Sequence, residues 1–317
     1  MIWLVGTGIM GIEYAKVLNA LKVEYVAIGR SEQSALRFEE QTGHKVIKGG
    51  LTNYLLTGPD KPESAIVAVG IESLTDTCIN LLYYGVKKIL QEKPGIGWVC
   101  EIDQLVETAS REKATVVLAY NRRFYSSVLK AEEIIKDDGG VSSFNFEFTE
   151  WSHVIASSYN NIQVVYHNWF MGNSSHVIDT AFYLGGKPKQ LCAFYSGETE
   201  LKWHPSGAIY AGAGVSEKNA LFSYHANWIA PGRWVVEILT KKHRLYFKPM
   251  ESLQIQNLGS VAVNPVEIDN KLDIDFKPGL YLQTKAFLEG DYSRFCTIEE
   301  QKKNIENYYL KMSNYKE

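Results

Sequence analysis

Cysteine is scarce in this sequence, and neither a long apolar run nor a strong net charge is present. Only four of the 317 residues are cysteine, and none forms a Cys-x-x-Cys pair. This pattern disfavours a structural zinc site and a disulfide framework, and it is typical of a reducing cytoplasm. No apolar run reaches the roughly 18 residues that a membrane span needs. The net charge of −3 gives no basic field for nucleic acid. We therefore expect a cytoplasmic protein with no metal, nucleic-acid or membrane partner.

The composition is that of a globular protein with more than one domain. Hydrophobic residues make up 45% and charged residues 22%, and a domain usually has about 100–200 residues. The N-terminus has no basic stretch and leads directly into glycines, so residues 2–5 are interpreted as a first strand rather than as a signal peptide. Two domains are therefore expected.

Up to residue 119, short apolar runs alternate with segments of helical periodicity. The predicted strands are residues 2–5, 25–28, 65–69, 88–90 and 115–119, and the predicted helices are residues 9–21, 31–42, 74–85 and 103–113. Strands that alternate with helices of this length indicate parallel βαβ units. Residues 1–119 are therefore predicted to form a Rossmann dinucleotide-binding domain.

After residue 120 the pattern changes to one typical of an antiparallel sheet. A helix is predicted over 122–138, alternating strands over 142–150, 190–195, 220–228, 234–240 and 244–247, a helix over 176–184, and closing helices over 281–289 and 297–312. Thr297 and Glu300 form a capping box for the last helix. The fold class is therefore α/β, with residues 120–317 as an α+β substrate-binding and oligomerisation domain on an open, mostly antiparallel sheet. Its C-terminal helices could pack within this domain or back on the first.

A glycine-rich loop lies between the first strand and the first helix. Its residues are Gly6, Thr7, Gly8, Ile9, Met10 and Gly11, in the pattern Gly-x-Gly-x-x-Gly. In a dinucleotide site the glycines permit a tight turn, close approach of the pyrophosphate and close packing of helix on strand. The helix N-terminus adds N–H donors and the positive end of its dipole. A glycine-rich turn without a ligand is the alternative, and we favour dinucleotide binding.

The tip of the second strand bears on which cofactor is preferred. An NAD site needs an acidic residue there to bond the ribose 2′-hydroxyl. This sequence has Arg30 and Ser31 instead, and Glu32 comes one or two positions late. A guanidinium matches the geometry of a 2′-phosphate. NADP(H) is therefore expected over NAD(H), unless Arg30 is an ordinary surface residue.

A lysine follows a predicted parallel strand at its carboxyl end, where ligands bind in such sheets. Lys93 stands between Glu92 and Pro94, and the proline disfavours helical geometry for it. A lysine there could be a general acid or base with a lowered pKa, or a fixed cation on a substrate hydroxyl. A surface lysine at a strand end fits the same residues.

Four segments in order resemble the Gfo/Idh/MocA oxidoreductase family, which includes glucose-fructose oxidoreductase and inositol dehydrogenase. They are Gly6–Gly11, Glu92-Lys93-Pro94, residues 119–124 (Ala-Tyr-Asn-Arg-Arg-Phe), and residues 176–186, which follow the pattern His-x-x-Asp-x-x-x-Tyr-Leu-x-Gly. The closing helices fit as well, so the resemblance spans the chain. It implies an NAD(P)-dependent dehydrogenase or reductase acting on CH–OH groups, with a carbohydrate-like small-molecule substrate.

The resemblance also implies roles for particular residues. Lys93 and His176 correspond to the catalytic residues, and a pKa near 6.5 suits His176 for proton transfer. The residues expected at the cofactor are Gly6, Thr7, Gly8, Ile9, Met10, Gly11, Arg30, Ser31, Val69, Glu92, Lys93 and Asn121. Those expected at the substrate are Lys93, Arg123, Trp169, Asn173, His176 and Asp179. For His176 a purely structural pairing with Asp179 is the alternative.

Two departures from the family pattern affect the substrate. Many sugar dehydrogenases of the family have an aspartate four residues before the histidine, and here that position is Gly172. Tyr166, His167, Asn168 or Asn173 could support the site instead. The segment after the third strand, residues 70–73, lacks the usual proline and histidine or asparagine. The substrate therefore stays open.

Aromatic residues cluster in the second half: Trp151, Tyr159, Tyr166, Trp169, Phe170, Trp203, Tyr210, Trp228 and Trp234. Most are interpreted as core or interface, with Trp169 at the site. Because the open sheet commonly pairs subunits in the family, a homodimer or homotetramer is expected. The predicted reaction is hydride transfer to or from a sugar, sugar acid, cyclitol or nucleotide sugar. The alternatives are a reductase of another C=O, C=N or C=C bond and a non-catalytic dinucleotide-binding regulator.

Overall fold

The computed structural model describes residues 1–158 and 163–315, so Tyr159 lies outside the described residues. The chain divides into two compact units. The first unit comprises Met1–Asn121 and Leu272–Lys302, and the second comprises Arg122–Lys271 and Lys303–Glu317. No helix within the described ranges is long and apolar enough to cross a membrane.

The described residues contain fifteen strands and thirteen α-helices. The strands are β1 (Ile2–Val5), β2 (Tyr25–Gly29), β3 (Val46–Lys48), β4 (Ser64–Val67), β5 (Lys88–Gln91), β6 (Thr115–Leu118), β7 (Ser143–Phe148), β8 (Pro188–Ser196), β9 (Ile209–Ser216), β10 (Leu221–Asn227), β11 (Trp234–Leu239), β12 (His243–Phe247), β13 (Gln254–Asn257), β14 (Val263–Pro265) and β15 (Cys296–Thr297). The helices are α1 (Ile9–Ala20), α2 (Glu32–Thr42), α3 (Gly50–Leu56), α4 (Leu74–Tyr84), α5 (Ile102–Arg111), α6 (Ser126–Asp137), α7 (Ser152–Ser158), α8 (Gln163–His167), α9 (Ser175–Gly185), α10 (Lys271–Asp275), α11 (Leu280–Glu289), α12 (Ile298–Asn304) and α13 (Leu310–Ser313).

The first unit is built on a seven-stranded sheet in the order β15-β6-β5-β4-β1-β2-β3. All neighbouring strands are parallel except β15, which runs antiparallel to β6. The residues of β1 and β4 are buried throughout, as expected for parallel strands with both faces covered. The chain reverses direction across the sheet between β1 and β4, and such a switch point is where open α/β sheets bind ligands.

Residues 272–302 group with the first unit. The predicted boundary placed them in the domain spanning 120–317, with packing of the C-terminal helices back on the first domain as an open alternative. Helix α11 packs against α1, and β15 extends the parallel sheet at β6. The side-chain amide of Gln301 donates to the carbonyl oxygen of Pro94 at 3.1 Å. These contacts join segments that are more than about 170 residues apart in sequence, so local patterns do not indicate them.

The second unit is built on an eight-stranded sheet in the order β14-β13-β12-β11-β7-β10-β9-β8. Its neighbouring strands are antiparallel except β7 and β10. Helix α9 packs against β7 and β11. Phe182 of α9 meets Phe144 and Phe146 edge-on, with ring centroids 6.1 and 5.3 Å apart. Both sheets confirm the predicted fold class.

Several elements differ from the predicted ones. The predicted helix over 122–138 is a 3₁₀ turn, Asn121–Phe124, followed by α6. The predicted last helix includes a π-helical turn, Ile305–Tyr309. Strands β3, β9, β13, β14 and β15 and helices α3, α7, α8 and α10 were not predicted. Strand β9 is rich in glycine and alanine, which are weak strand formers, and its pairing with β8 and β10 overrides that propensity.

Candidate functional site

The glycine-rich loop joins β1 to α1 at the switch point of the first sheet. Gly6 has φ +113°, and a Cβ there would lie 2.3 Å from the carbonyl oxygen of Ala68. A Cβ on Gly11 would lie 2.0 Å from the carbonyl oxygen of Gly6. A Cβ on Gly8 would meet no atom within 4 Å. Gly6 and Gly11 therefore let the backbone pack closely, whereas Gly8 keeps the space before the N-terminus of α1 open.

A cavity of about 450 Å³ opens beside this loop within the first unit. It is lined by Val5, Gly6, Thr7, Gly8, Ile28, Arg30, Ser31, Ser34, Gly49, Gly50, Leu51, Thr52, Asn53, Ala68, Val69, Gly70, Glu72, Ser73, Asp76, Thr77 and Asn80. Six of the residues predicted to bind the cofactor are in this lining: Gly6, Thr7, Gly8, Arg30, Ser31 and Val69. The other six are not: Ile9, Met10, Gly11, Glu92, Lys93 and Asn121.

The loop formed by Gly49 and the start of α3, residues 50–53, is the part of this cavity that was not predicted from the sequence. It contributes Gly49, Gly50, Leu51, Thr52 and Asn53. The paired glycines were the available signal, and both adopt positive φ. A Cβ on Gly50 would lie 3.7 Å from Cβ and Cγ of Arg30, so the stem of Arg30 runs beside this loop.

Two charged side chains near the tip of β2, Glu32 and Arg30, differ in whether they form an ion pair. Glu32 forms an ion pair with Lys48 at 2.8 Å. Hydrogen bonding to Lys48 lowers the pKa of Glu32, and Glu32 does not line the cavity. Arg30 is exposed at the cavity and forms no ion pair with the residues that the structure describes. The tip therefore presents an available cation beside the cavity.

Three hydroxyl groups are linked next to Arg30. Ser31 caps α2 by accepting a hydrogen bond from the backbone N–H of Ser34 at 3.1 Å. The Ser34 hydroxyl donates to the carbonyl oxygen of Ser31 at 3.1 Å and lies 3.0 Å from the Thr7 hydroxyl. These bonds hold the tip of β2 against the glycine-rich loop.

The residues around Lys93 are held by a contact from α1. The Tyr14 hydroxyl donates to Oε1 of Glu92 at 3.0 Å. Burial raises the pKa of Glu92, while the nearby Lys93 cation and the Tyr14 hydrogen bond act in the opposite direction. Lys93 therefore follows a residue that α1 fixes directly.

Asn121 bonds within the first unit and is not among the residues that line the cavity. Its side-chain amide donates to the carbonyl oxygen of Pro278 at 2.9 Å, and the residue is buried. Asn121 therefore fixes the segment leading into α11. Its contact with the cofactor stays a prediction.

Arg123 and Asp179 form a buried ion pair in the second unit. Nε and Nη2 of Arg123 donate to the two carboxylate oxygens of Asp179 at 2.9 and 2.6 Å. The side chains are 6% and 2% exposed. The pair ties the start of the unit to α9. Both residues were predicted to bind substrate. In the fold, the guanidinium of Arg123 and the carboxylate of Asp179 bind each other.

His176 stands at the start of α9, directly after a π-helical turn, Phe170–Ser174. Its ring centroid lies 6.2 Å from that of Trp234 at the start of β11. π-helical turns inside α-helices occur often at functional sites. Gly172 lies within this turn, and its backbone N–H donates to the carbonyl oxygen of Asn168 at 2.6 Å.

A buried carboxyl group lies beside the same turn. Glu150 follows β7 and is 2% exposed. It accepts hydrogen bonds from the side-chain amide of Asn173, 3.0 Å from each oxygen, and from the Ser174 hydroxyl at 2.7 Å. Burial raises the pKa of Glu150 to about 7, despite the hydrogen bonds that oppose this shift. Glu150 thus holds Asn173, which was predicted to bind substrate.

The sequence analysis missed Glu150, although a signal was available. Phe144, Phe146 and Phe148 alternate along β7 and are buried. Glu150 continues the same even-numbered register, so a charged residue falls on the inward-facing side. A charge at such a position needs a specific partner.

Trp169, which was predicted to lie at the substrate, packs against other aromatic rings. It is 7% exposed, and its ring meets that of Trp203 edge-on at 6.0 Å. Trp203 in turn stacks on Trp228. Trp169 is therefore part of an aromatic cluster, and its place at the substrate stays a prediction. The ring of Trp234 also lies near that of His176. Within residues 1–158 and 163–315 there is no group of three acidic, histidine or cysteine side chains that could hold a metal ion.

Residues 1–120 match the model of the Gfo/Idh/MocA oxidoreductase family, described as having an NAD-binding Rossmann fold. This match covers the first 120 of the 317 residues and agrees with the resemblance drawn from the motifs. No curated protein matches the sequence.

Solved structures resemble the chain over nearly its full length. UDP-N-acetylglucosamine 3-dehydrogenase GnnA from Acidithiobacillus ferrooxidans has 13% identity and a TM-score of 0.72, covering 98% of this chain and 96% of its own. Levoglucosan dehydrogenase in complex with NADH and levoglucosan has 17% identity and a TM-score of 0.74, covering 95% and 92%. An NAD-binding oxidoreductase from Klebsiella pneumoniae has 16% identity and a TM-score of 0.73, covering 96% and 93%. At these identities the likeness shows a shared two-domain fold.

Proposed function

We propose that this chain is an NAD(P)-dependent oxidoreductase that transfers a hydride between the nicotinamide and a carbinol or keto carbon of a sugar-like substrate. The observation that carries this proposal is the open backbone at Gly8, which faces a cavity at the switch point of a doubly wound sheet. The family match of residues 1–120 supports the redox class. The substrate class is suggested by the sugar substrates for which GnnA and levoglucosan dehydrogenase are named.

The cavity fits a dinucleotide. The pyrophosphate would lie against the backbone of Gly8 and the N–H groups at the start of α1. When bound, the cofactor supplies or accepts the hydride at its nicotinamide ring. Lys93 would polarise the reacting oxygen and stabilise negative charge on it, and His176 would exchange the hydroxyl proton.

NADP(H) is the cofactor that we propose. Arg30 offers a guanidinium at the cavity, and Ser31 and Ser34 offer hydroxyl groups beside it. The acidic residue that would favour NAD(H), Glu32, is paired with Lys48. A 2′-phosphate would therefore meet a cation and hydroxyl donors rather than a carboxylate.

Fluorescence titration with NADPH and NADH tests the cofactor preference. Wild-type protein should bind NADPH more tightly, and Arg30→Ala should lose most of that preference. Arg37→Ala is the matched control, because Arg37 is exposed on α2 and does not line the cavity. Equal affinity of wild type for the two nucleotides would overturn the NADP(H) proposal, and the absence of binding by either would overturn the proposed function.

Turnover tests the chemistry. A panel of sugars, sugar acids and cyclitols should be oxidised with the preferred cofactor, and Lys93→Met and His176→Ala should each lower kcat by at least about 100-fold. Turnover of unsaturated or keto compounds alone would favour the alternative reductase. Tight cofactor binding with no turnover of any compound would favour a dinucleotide-binding regulator.

We also propose that the second unit forms a homodimer or homotetramer through its sheet. Phe194, Ala211 and His225 are cross-strand neighbours on one face of β8, β9 and β10, and Leu221 lies on the same face. Phe194 is 68% and Leu221 63% exposed. An exposed apolar sheet face of this kind is typical of an interface. Light scattering on wild type and on Leu221→Glu measures the oligomeric state and so tests this proposal. A monomeric wild type would contradict it.

A further inference from the structure

Two arginines meet one tryptophan at the end of the second sheet where β7 ends and β11 begins. Trp234 is paired with Phe148 in the β11–β7 ladder. The guanidinium carbon of Arg122 lies 4.7 Å from the centroid of the Trp234 ring, and that of Arg233 lies 4.5 Å from it. Arg233 also lies 4.7 Å from the centroid of the Trp151 ring. Stacking on aromatic rings fixes both guanidinium groups in position.

Neither guanidinium is neutralised by the protein. Among the residues that the structure describes, Arg122 and Arg233 form no ion pair, and the buried Nε of Arg122 has no hydrogen-bond partner. Arg123 and Arg244 differ, because each forms an ion pair with a carboxylate, Asp179 and Glu237 respectively. Arg233 is exposed, whereas Arg122 is half-buried with a fully buried Nε, and a cation that has lost part of its hydration normally has an anionic partner.

The groups around the cluster of Arg122, Arg233 and Trp234 supply little negative charge. Burial lowers the pKa of Arg122, while Tyr125, Glu251 and Glu150 favour its charged form and Arg233 opposes it. Glu150 is already bonded to Asn173 and Ser174. Its raised pKa, about 7, means that it carries only part of a negative charge at neutral pH. An added anion would therefore be stabilised by both arginines.

Arg122, Arg233 and Trp234 lie next to His176, the proposed proton-transfer residue. The ring centroids of Trp234 and His176 are 6.2 Å apart. We propose that Arg122 and Arg233 bind an oxyanion of the substrate, so that the preferred substrate is an anionic sugar carrying a carboxylate or a phosphate. This inference rests on the proposed function and narrows its substrate class. The planar guanidinium forks fit the paired oxygens of both groups.

The test uses matched ligands that differ in their charged group: glucose, glucuronate, glucose 6-phosphate and UDP-N-acetylglucosamine. Binding is measured by tryptophan fluorescence without cofactor, and turnover is measured with the preferred cofactor. The variants are Arg122→Gln, Arg233→Gln and the control Arg111→Gln, whose guanidinium also lies over a ring, that of Tyr83, in the first unit. Arg233 is exposed, so its variant tests the proposal even if Arg122→Gln fails to fold.

The expected result is that at least one anionic compound binds more tightly than glucose. Arg122→Gln and Arg233→Gln should each weaken that binding roughly 10- to 100-fold, the range for loss of a charge-assisted contact. Both should change glucose binding little, and Arg111→Gln should match wild type. A preference for glucuronate assigns a carboxylate, and a preference for the two phosphorylated compounds assigns a phosphate.

Two outcomes separate this inference from the proposed function. Equal binding of neutral and anionic compounds, unaffected by either arginine variant, would overturn the anionic substrate, although turnover of glucose would leave the proposed function in place. Arginine-dependent binding of an anion with no turnover of any compound would overturn the proposed function and retain the oxyanion site.

Discussion

The side-chain amide of Asn173 lies 3.0 Å from both carboxyl oxygens of Glu150. Asn173 directly follows Gly172, the position at which many sugar dehydrogenases of the family have an aspartate. The carboxyl group beside the start of α9 therefore comes from the end of β7 instead. This contact places a proton-exchanging group with a pKa of about 7 next to the turn that leads into His176.

Replacing Glu150 with glutamine should change how stability depends on pH. The folded-state pKa of Glu150 is raised from 4.5 to about 7, so its contribution is fully present below pH 4.5 and is lost as the pH rises through 7. Relative to Glu150→Gln, wild type should lose about 3 kcal/mol of unfolding free energy over this range. Urea denaturation of both proteins between pH 4.5 and 8 measures the difference. Parallel curves for the two proteins would show that Glu150 titrates normally.

His204 should contribute the opposite dependence on pH. Its buried ring donates from Nδ1 to the carbonyl oxygen of Tyr166 at 2.9 Å, and burial lowers its pKa from 6.5 to about 4. The neutral ring therefore contributes stability above pH 6.5 that is lost as the pH falls toward 4, by about 3 kcal/mol. His204→Asn retains a donor near Nδ1 and should remove this loss. The exposed His153→Asn serves as the control, and a loss retained in His204→Asn would contradict the assignment.

The buried ion pair between Arg123 and Asp179 should be costly to break. Asp179→Asn leaves a buried guanidinium without its counter-ion, which should lower the unfolding free energy by about 3–5 kcal/mol. The double variant Arg123→Met/Asp179→Leu should lose less, because no unpaired charge remains. Lys130→Met, in the exposed Lys130–Glu133 pair, should cost less than about 1 kcal/mol. Chemical denaturation of the three variants gives the comparison, and equal losses in the single and double variants would argue against a charge effect.

Substitutions at two glycines of the phosphate loop should separate binding from stability. Gly8→Ala places its methyl group in open space, so the melting temperature should hardly change while NADPH affinity falls at least roughly 10-fold. Gly6→Ala meets the Ala68 carbonyl at a positive φ and should destabilise the protein by about 1–3 kcal/mol. Thermal unfolding and fluorescence titration on both variants test this. Unchanged NADPH binding by Gly8→Ala would contradict the proposed position of the pyrophosphate.

Local patterns were enough to predict much of the fold. Gly6, Gly8 and Gly11 predicted the β1–α1 turn, because a phosphate-binding turn needs residues without a side chain at these positions. The alternation of residues along β7 correctly predicted that one face of this strand is buried. The loop that carries Gly49 and Gly50 was missed, because β3 is only three residues long and gives little periodic signal.

The sequence by itself determined most of the alternating elements of the first unit, the phosphate loop and the family resemblance of the first 120 residues, because these depend on residues that are close together in the chain. Only the tertiary structure decided that Glu150 bonds Asn173, and that Arg122 and Arg233 meet at Trp234. Arg122 and Trp234 are more than 100 residues apart. Periodicity tells which face of an element a side chain occupies, whereas its partner across the sheet is fixed by strand order and register.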